Sequence, residues 1–348
     1  MAVARGTAAN LPSDDRLVRS RPAGLRAGAP LTAIDGPEQA LGLVAAELGA
    51  AEAALRELVV SDVAEIPAIA GYLLDAGGKR LRPALTALGA RAVGYEGPLA
   101  KLMCVGELLH LGSLLHDDVV DDGVLRRGRP AAHHPFGAPA VVLTGDFCLA
   151  RAMWLAAQEG GFHAVEALGR TVTEMAEGEV LQLKRAGDLS TTFDTYLDVI
   201  DRKSAALIAW CAAAAAWAHD DAPSASALQR FGRGVGKAFQ ITDDVLDYGE
   251  GTGKAPGADL RERKVTLPLI FAMERLPTLR SALEAGAPSD AEVEGWIAAV
   301  RSTDALERSL EVAQGFASEA MAALDELPPS EGREALRVLG AYLVERTR

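Results

Sequence analysis

From Ala205 to Ala218 every residue is apolar. A helix with no polar face cannot lie on a surface. The run is also shorter than the about 20 residues of a membrane span. It is therefore read as a helix buried on most sides by the rest of the chain. Helical periodicity dominates the remainder. Helix-like segments run over 37–59, 62–75, 80–93, 98–122, 138–159, 162–184, 192–218, 224–247, 265–275, 291–301, 303–326 and 330–346. Gly77-Gly78, Gly94, Gly97-Pro98, Gly160-Gly161, Pro223, the 249–257 stretch and Pro328-Pro329 punctuate them. No alternating strand pattern and no short-period repeat is visible. Hydrophobic residues make up 49% but aromatics only 5%, and Ala and Leu, both helix formers, supply much of the difference. The expectation is an all-α protein: one catalytic domain over 37–348, behind a disordered basic tail over 1–36. That tail carries Arg5, Arg16, Arg19, Arg21 and Arg26 and has no continuous apolar core of the secretory kind.

The net charge is −13 and no basic run is present, which excludes binding to bare nucleic acid. An acidic protein still binds a polyphosphate when divalent metals stand between its carboxylates and the ligand. Cys104, Cys148 and Cys211 are too few and too widely spaced for a disulfide framework or a zinc site. They read as small core residues in a reducing cytoplasm.

Two stretches carry the chemistry. His116-Asp117-Asp118-Val119-Val120-Asp121 and Thr242-Asp243-Asp244-Val245-Leu246-Asp247 both contain Asp-Asp-x-x-Asp, and each follows a long apolar helical stretch. On a helix, positions i and i+4 share a face. Asp117 therefore projects with Asp121, and Asp243 with Asp247, while Asp118 and Asp244 flank them. Stacked carboxylates repel unless a cation neutralises them. Mg²⁺ suits hard oxygen ligands and bridges to substrate phosphates. One such cluster is as readily a solvated helix end; two with the same spacing, both embedded in apolar sequence, point to metal binding. Neither has the glycine and distant Glu of a calcium loop.

Basic residues accompany the clusters: Gly77-Gly78-Lys79-Arg80-Leu81-Arg82-Pro83, Arg126-Arg127-Gly128-Arg129-Pro130, Lys203-Ser204, Gly253-Lys254 and Lys264-Val265-Thr266-Leu267-Pro268. Arg forks and Lys charges grip phosphate directly. Acidic and basic groups together suggest two phosphorylated substrates, one held through metals and one by Arg and Lys alone. Gly232-x-Gly234-x-Gly236 lacks a preceding strand and reads as close helix packing rather than a nucleotide loop.

Taken in order, these motifs resemble the trans-isoprenyl diphosphate synthase, or polyprenyl synthetase, family over about residues 40–348. Gly178-Glu179-Val180-Leu181-Gln182 resembles its longer-chain members. The resemblance implies an isoprenoid-synthase-type bundle of roughly a dozen helices around a deep central cavity, working as a homodimer. It implies that Asp117, Asp118 and Asp121 bind Mg²⁺ from one wall and Asp243, Asp244 and Asp247 from the other, with about three ions per site. It assigns Arg126, Lys203, Ser204, Gln240, Lys254 and Lys264 to the allylic diphosphate. Lys79, Arg82, His110 and Arg127 fall to isopentenyl diphosphate, and Phe239 lines the reacting centre beside Gln240. The reaction implied is head-to-tail condensation of isopentenyl diphosphate onto an allylic diphosphate. Arg263 departs from the pattern, standing where many members have Gly before the lysine of Lys-x-Thr, and bears on the backbone that presents Lys264.

One helical turn rises about 5.4 Å, close to one isoprene unit, so small residues before Asp117 would let the product grow. Gly112 and Ser113 occupy the preceding turn and Gly106 lies further back, with Leu109 as the alternative floor. The alternative is that these small residues simply let helices pack closely. The stretch Leu108–Asp122 resembles that of long-chain synthases more than that of farnesyl synthases, which implies a long product, about C30–C50, with geranylgeranyl diphosphate as the alternative. A terpene cyclase or a non-catalytic regulatory subunit is a weaker reading, because the isopentenyl diphosphate grip and both aspartate clusters are intact. Contact with membrane is expected to be peripheral at most, through the product.

Overall fold

The computed structural model describes residues 34–126, 128–249 and 256–345. The tail expected over 1–36 falls outside them up to residue 33. The first helix starts at Pro37, the expected start of the catalytic domain.

The helices are α1 (Pro37–Gly42), α2 (Ala45–Leu58), α3 (Glu65–Leu74), α4 (Leu81–Ala92), α5 (Ala100–Val120), α6 (His133–Phe136), α7 (Ala138–Lys184), α8 (Phe193–Ile200), α9 (Ala206–Ala218), α10 (Ala222–Leu246), α11 (Ala258–Arg261), α12 (Leu267–Arg275), α13 (Pro277–Ala285), α14 (Asp290–Arg301), α15 (Ala305–Leu324) and α16 (Glu331–Glu345). The fold is all-α, as the periodicity predicts. Proline opens α7, α10, α12 and α13 at positions where its missing N–H is not needed. Asp221 caps α10 by accepting the Ser224 N–H at 3.1 Å, and Ser289 with Glu292 forms a capping box on α14.

Helix α9 is the axle of the main core. Every residue from Ala206 to Ala216 is buried, and α4, α7 and α10 surround it. Its Trp210 is fully buried and donates its indole N–H to the Ala164 carbonyl at 3.1 Å. The glycines of α10 let backbones meet. A Cβ on Gly232 would lie 2.5 Å from Ala209 Cα, and one on Gly236 would lie 2.6 Å from Ala205 Cα. This is the packing role expected for that glycine run. A second cluster of buried residues gathers α8 and α12–α15 around Tyr248, Leu267 and Leu279.

Several elements differ from the periodic reading. The segment 37–59 is two helices, broken after Gly42. A two-residue antiparallel hairpin, β1 (Leu125–Arg126) with β2 (Arg129–Pro130), follows α5 in register Leu125↔Pro130. Two residues are too few to show an alternating pattern. The four-residue helices α6 and α11 are likewise too brief for periodicity to reveal, and α13, opened by Pro277, is a further helix that the periodic reading does not include. The break expected at Gly160-Gly161 is present inside α7, where Gly161 takes φ 73° and ψ −168°. Helix α7 is long and apolar enough to cross a membrane by length and composition. Here it is broken at Gly161 and packs against α5 and α9. The expected helix over 192–218 is interrupted by a π turn at Asp201–Ala205.

Candidate functional site

Helix α5 ends in the first aspartate cluster and α10 in the second. The stop of α5 is a left-handed turn. Asp122 takes φ 48°, and the Gly123 N–H reaches back to the Asp118 carbonyl at 3.2 Å, so an end carbonyl of the helix is satisfied. The three aspartates there have different surroundings. Asp118 is 1% exposed. Its carboxylate accepts from Arg126 Nε at 2.7 Å and from the Ala132 backbone N–H at 3.4 Å. The hairpin thus folds back so that β1 supplies the cation a buried carboxylate requires. Asp117 is half-buried. Burial pushes its carboxyl up to about 6; the Lys203 ammonium pulls it down, and the Glu179 and Asp121 carboxylates push it up again. Asp121 is exposed at the C-terminal end of α5.

At the end of α10, Asp244 is 5% exposed and accepts from two neutral donors, Tyr196 Oη at 2.7 Å and Gln240 Nε2 at 2.9 Å. Burial raises its carboxyl despite the nearby Lys264 ammonium. Asp247 is engaged locally. Its carboxylate accepts the backbone N–H groups of Ala258 at 3.2 Å and Asp259 at 3.0 Å, which caps α11. Spacing places Asp247 beside Asp243, and the fold gives it a structural task as well. Asp243 is half-buried at the same helix end.

The π turn connects the two ends. Lys203 Nζ lies 2.5 Å from Glu179 Oε2 on α7, beside Asp117. The next residue, Ser204, donates its hydroxyl to Gln240 Oε1 at 2.9 Å, and Gln240 in turn holds Asp244. A π turn widens the helix by one residue and often marks a functional site. Here it lets consecutive side chains reach different helices.

Lys264 comes from the segment between α11 and α12. Its ammonium is 3.9 Å from Asp259 Oδ1, and 37% of its side chain is open to solvent. Burial lowers its pKa, but the Asp244 and Asp259 carboxylates outweigh that and raise it. Lys264 therefore stays charged. Arg263 takes φ 51°, the left-handed conformation that Gly would adopt, and donates Nη2 to the Gly187 carbonyl at 3.3 Å. The departure from Gly thus leaves this turn left-handed.

Lys79 is exposed, and Arg82 and His110 are half-buried. Phe239 is half-buried and packs against the main core. Arg127 and Lys254 lie outside the described residues. The glycines of the expected tunnel stand at close helix contacts, as in the packing alternative. A Cβ on Gly112 would come 2.9 Å from the Gly145 carbonyl on α7, and one on Gly106 would come 2.2 Å from Cys211 Sγ on α9. Both glycines serve helix contact rather than open space. Leu109 is buried, and Ser113 is half-buried with its hydroxyl on the His110 carbonyl at 2.9 Å.

Three side chains at the site carry no expectation from sequence. Glu179 stands inside a motif whose spacing gives it no separate role. Asp259 stands five residues before Lys264, a spacing that signals nothing by itself; it is 7% exposed, and burial with the Asp244 carboxylate raises its carboxyl. Tyr196 reaches Asp244 from α8, a contact no local pattern announces.

Among the described residues, no three Asp, Glu, His or Cys side chains converge as a complete cation cage. Mg²⁺ does not need one: it keeps several waters and takes one or two carboxylates plus substrate phosphates. A half-buried carboxylate facing two others has the charge excess such an ion would relieve. The aspartates therefore fit Mg²⁺ as shared, open ligands.

An all-α bundle with two carboxylate clusters ending two core helices, joined through a basic turn, defines an isoprenoid-synthase class of protein. Residues 63–300 match the polyprenyl synthetase family, and the chain belongs to that family. It is accordingly a prenyltransferase of the polyprenyl diphosphate synthase type. It is 39% identical to the octaprenyl diphosphate synthase of Escherichia coli (strain K12), over 88% of this chain and 98% of that one. It is 38% identical to component 2 of the heptaprenyl diphosphate synthase of Geobacillus stearothermophilus, over 86% and 96%. Among solved structures, a polyprenyl synthase from Caulobacter crescentus CB15 complexed with calcium and isoprenyl diphosphate is 38% identical. It aligns with a TM-score of 0.84 over 90% of this chain and 99% of that one.

Proposed function

We propose that this chain is a Mg²⁺-dependent synthase that condenses isopentenyl diphosphate with an allylic diphosphate into a long all-trans product. The observation that carries the reading is the pair of aspartate clusters bridged by Lys203 and Ser204. Asp117, Asp121 and Asp243 would hold Mg²⁺ against the allylic diphosphate, with Asp118 and Asp244 held behind them and Asp247 shaping the loop after α10. Bound Mg²⁺ supplies Lewis-acid stabilisation of departing diphosphate. Lys203 and Lys264 add positive charge where that oxygen charge develops. Arg126 steadies Asp118 and would add positive charge beside the same diphosphate. Gln240 is fixed between Ser204 and Asp244, and with Phe239 it borders the reacting carbon. The isopentenyl diphosphate grip is Lys79, Arg82 and His110. The apolar core excludes water, which would otherwise quench an allylic cation.

Relatives named for octaprenyl and heptaprenyl products support a long chain. The catalytic domain would span 37–348. The buried free cysteines suit a reducing, cytoplasmic setting. Leu143, Phe147, Arg151 and Trp154 form one face of α7. Leu143 is 66% and Trp154 46% exposed, and Arg151 stacks on both rings. Such a face suits burial against a second copy. The Geobacillus relative, named as a component, favours a second reading in which the partner is a different chain.

The test is a product assay. Purified protein, Mg²⁺, labelled isopentenyl diphosphate and one allylic primer at a time are combined, and the dephosphorylated products are sized. Products longer than the C20 alcohol, from a preparation that light scattering shows to be two chains, are expected. No extension with any primer would overturn the reading, and an active single chain would remove the dimer.

A further inference from the structure

Four described residues other than glycine have left-handed backbone: Arg80, Asp122, Asp220 and Arg263. Two of them are arginines adjacent to a candidate diphosphate lysine. Arg80 follows Lys79, and Arg263 precedes Lys264. Arg80 is the more tightly held.

Arg80 stands at the N-terminal boundary of α4 with φ 46° and ψ 36°. An L-residue there carries a strain that its neighbours must offset. The offset is a three-bond clamp. Nε donates to Glu52 Oε2 at 2.7 Å and Nη2 to Glu52 Oε1 at 3.1 Å, a bidentate pair with α2. Nη1 donates to Glu107 Oε1 on α5 at 2.8 Å. Glu107 is only 7% exposed. Such a carboxylate is tolerated in the interior because this guanidinium answers it.

The clamp lies among the candidate grip residues. Lys79 precedes it, exposed and without an ion pair to any described residue. Arg82 follows it in the first turn of α4. His110 lies three residues beyond Glu107 on α5, and Arg80, Glu107, His110 and Leu114 line one cleft. Arg80 is itself badly placed to take phosphate. Two carboxylates flank its guanidinium, and they would repel an incoming diphosphate.

We propose that Arg80 is a positioning residue. Its clamp between Glu52 and Glu107 fixes the left-handed turn that aims Lys79 and Arg82, and the α5 turn that carries His110, at the diphosphate of isopentenyl diphosphate. The proposal rests on reading those three residues as the grip for that substrate.

The experiment measures KM for isopentenyl diphosphate and for the allylic primer separately, with Tm, in Arg80→Gly, Arg80→Lys, Glu107→Gln and the control Lys79→Ala. Glycine keeps the left-handed turn accessible and removes only the strut. Arg80→Gly should raise KM for isopentenyl diphosphate by about tenfold or more, as misplacement of binding groups does, while KM for the primer stays near wild type. Arg80→Lys, with a single ammonium, should fall between glycine and wild type. Glu107→Gln keeps the shape of the buried group and should shift the same KM in the same direction, so the proposal stays testable should the glycine variant fold poorly. An unchanged KM in Arg80→Gly or Glu107→Gln, with a raised one in Lys79→Ala, overturns the positioning role alone. An unchanged KM in Lys79→Ala overturns the grip reading and this proposal with it. A parallel rise in both KM values that tracks a fall in Tm reduces Arg80 to a structural part.

Discussion

The two aspartate clusters share one pattern of spacing and are supported in opposite ways. At the end of α5, the buried Asp118 is answered by a full positive charge, Arg126 at 2.7 Å. At the end of α10, the equivalent Asp244 is answered by two neutral donors, Tyr196 and Gln240. Asp121 is exposed, whereas Asp247 caps a helix. Identical spacing therefore does not make identical sites. The first cluster is fixed by charge and by a hairpin that comes next in the chain. The second is fixed by dipoles drawn from α8 and from within α10, and burial keeps the pKa of Asp244 raised even with the Lys264 ammonium nearby.

The largest effects should come where the clusters are alike. Asp117→Ala and Asp243→Ala should each lower turnover by about a thousandfold, the scale of losing electrostatic stabilisation of a leaving group, while circular dichroism stays native. Near-normal turnover in either variant would mean that cluster does not hold the metals.

Smaller effects should separate them. Arg126→Gln strands a buried carboxylate and should cost about 2 kcal/mol in urea unfolding, less than a fully buried pair because Arg126 is partly exposed. Tyr196→Phe removes one neutral donor from a carboxylate that keeps another and should cost about 1 kcal/mol. Added salt should narrow the gap between wild type and Arg126→Gln and leave Tyr196→Phe unmoved. Equal costs and equal salt responses would erase the contrast.

The smallest effect is thermal and depends on pH. Burial raises Asp117 from the usual 3.8 to about 6. Between those values the folded chain binds more protons than the unfolded chain, so this group's contribution to stability falls as pH rises through the window. A cation can take the carboxylate only after the proton has left. Mg²⁺ should therefore raise Tm by a few degrees at about pH 8 and by less at about pH 5. A shift of equal size at both would remove Asp117 from the ligands.

Much of this is legible in the residues themselves. The unbroken apolar run of α9 requires a helix surrounded by helices, and Gly161 announces the break in α7. The aspartate pattern puts carboxylates on the ends of α5 and α10 because helix periodicity is local. The supporting contacts are not local. Tyr196 reaches Asp244 across 48 residues, and Glu52 reaches Arg80 across 28. No periodicity encodes such distances. The glycines before Asp117 show the same limit. Their small size is plain, but whether it opens a tunnel or admits a neighbouring backbone depends on where α7 and α9 come to lie.

The π turn at Asp201–Ala205 has a consequence for how such a chain tolerates insertion and deletion. It amounts to one residue more than an α-helix would use over the same rise. Deleting any one of the five would let the segment relax into continuous α-helix with the helices on either side kept in register, because the extra residue is absorbed locally. Lys203 would swing away from Glu179, or Ser204 from Gln240; a regular helix could not keep both. A single codon lost there would spare the hydrophobic core, since α8 and α9 would still be amphipathic and apolar as before, yet it would uncouple the two halves of the site. In this chain the surplus residue behaves as a hinge pin: inconspicuous in composition, and fixed in number.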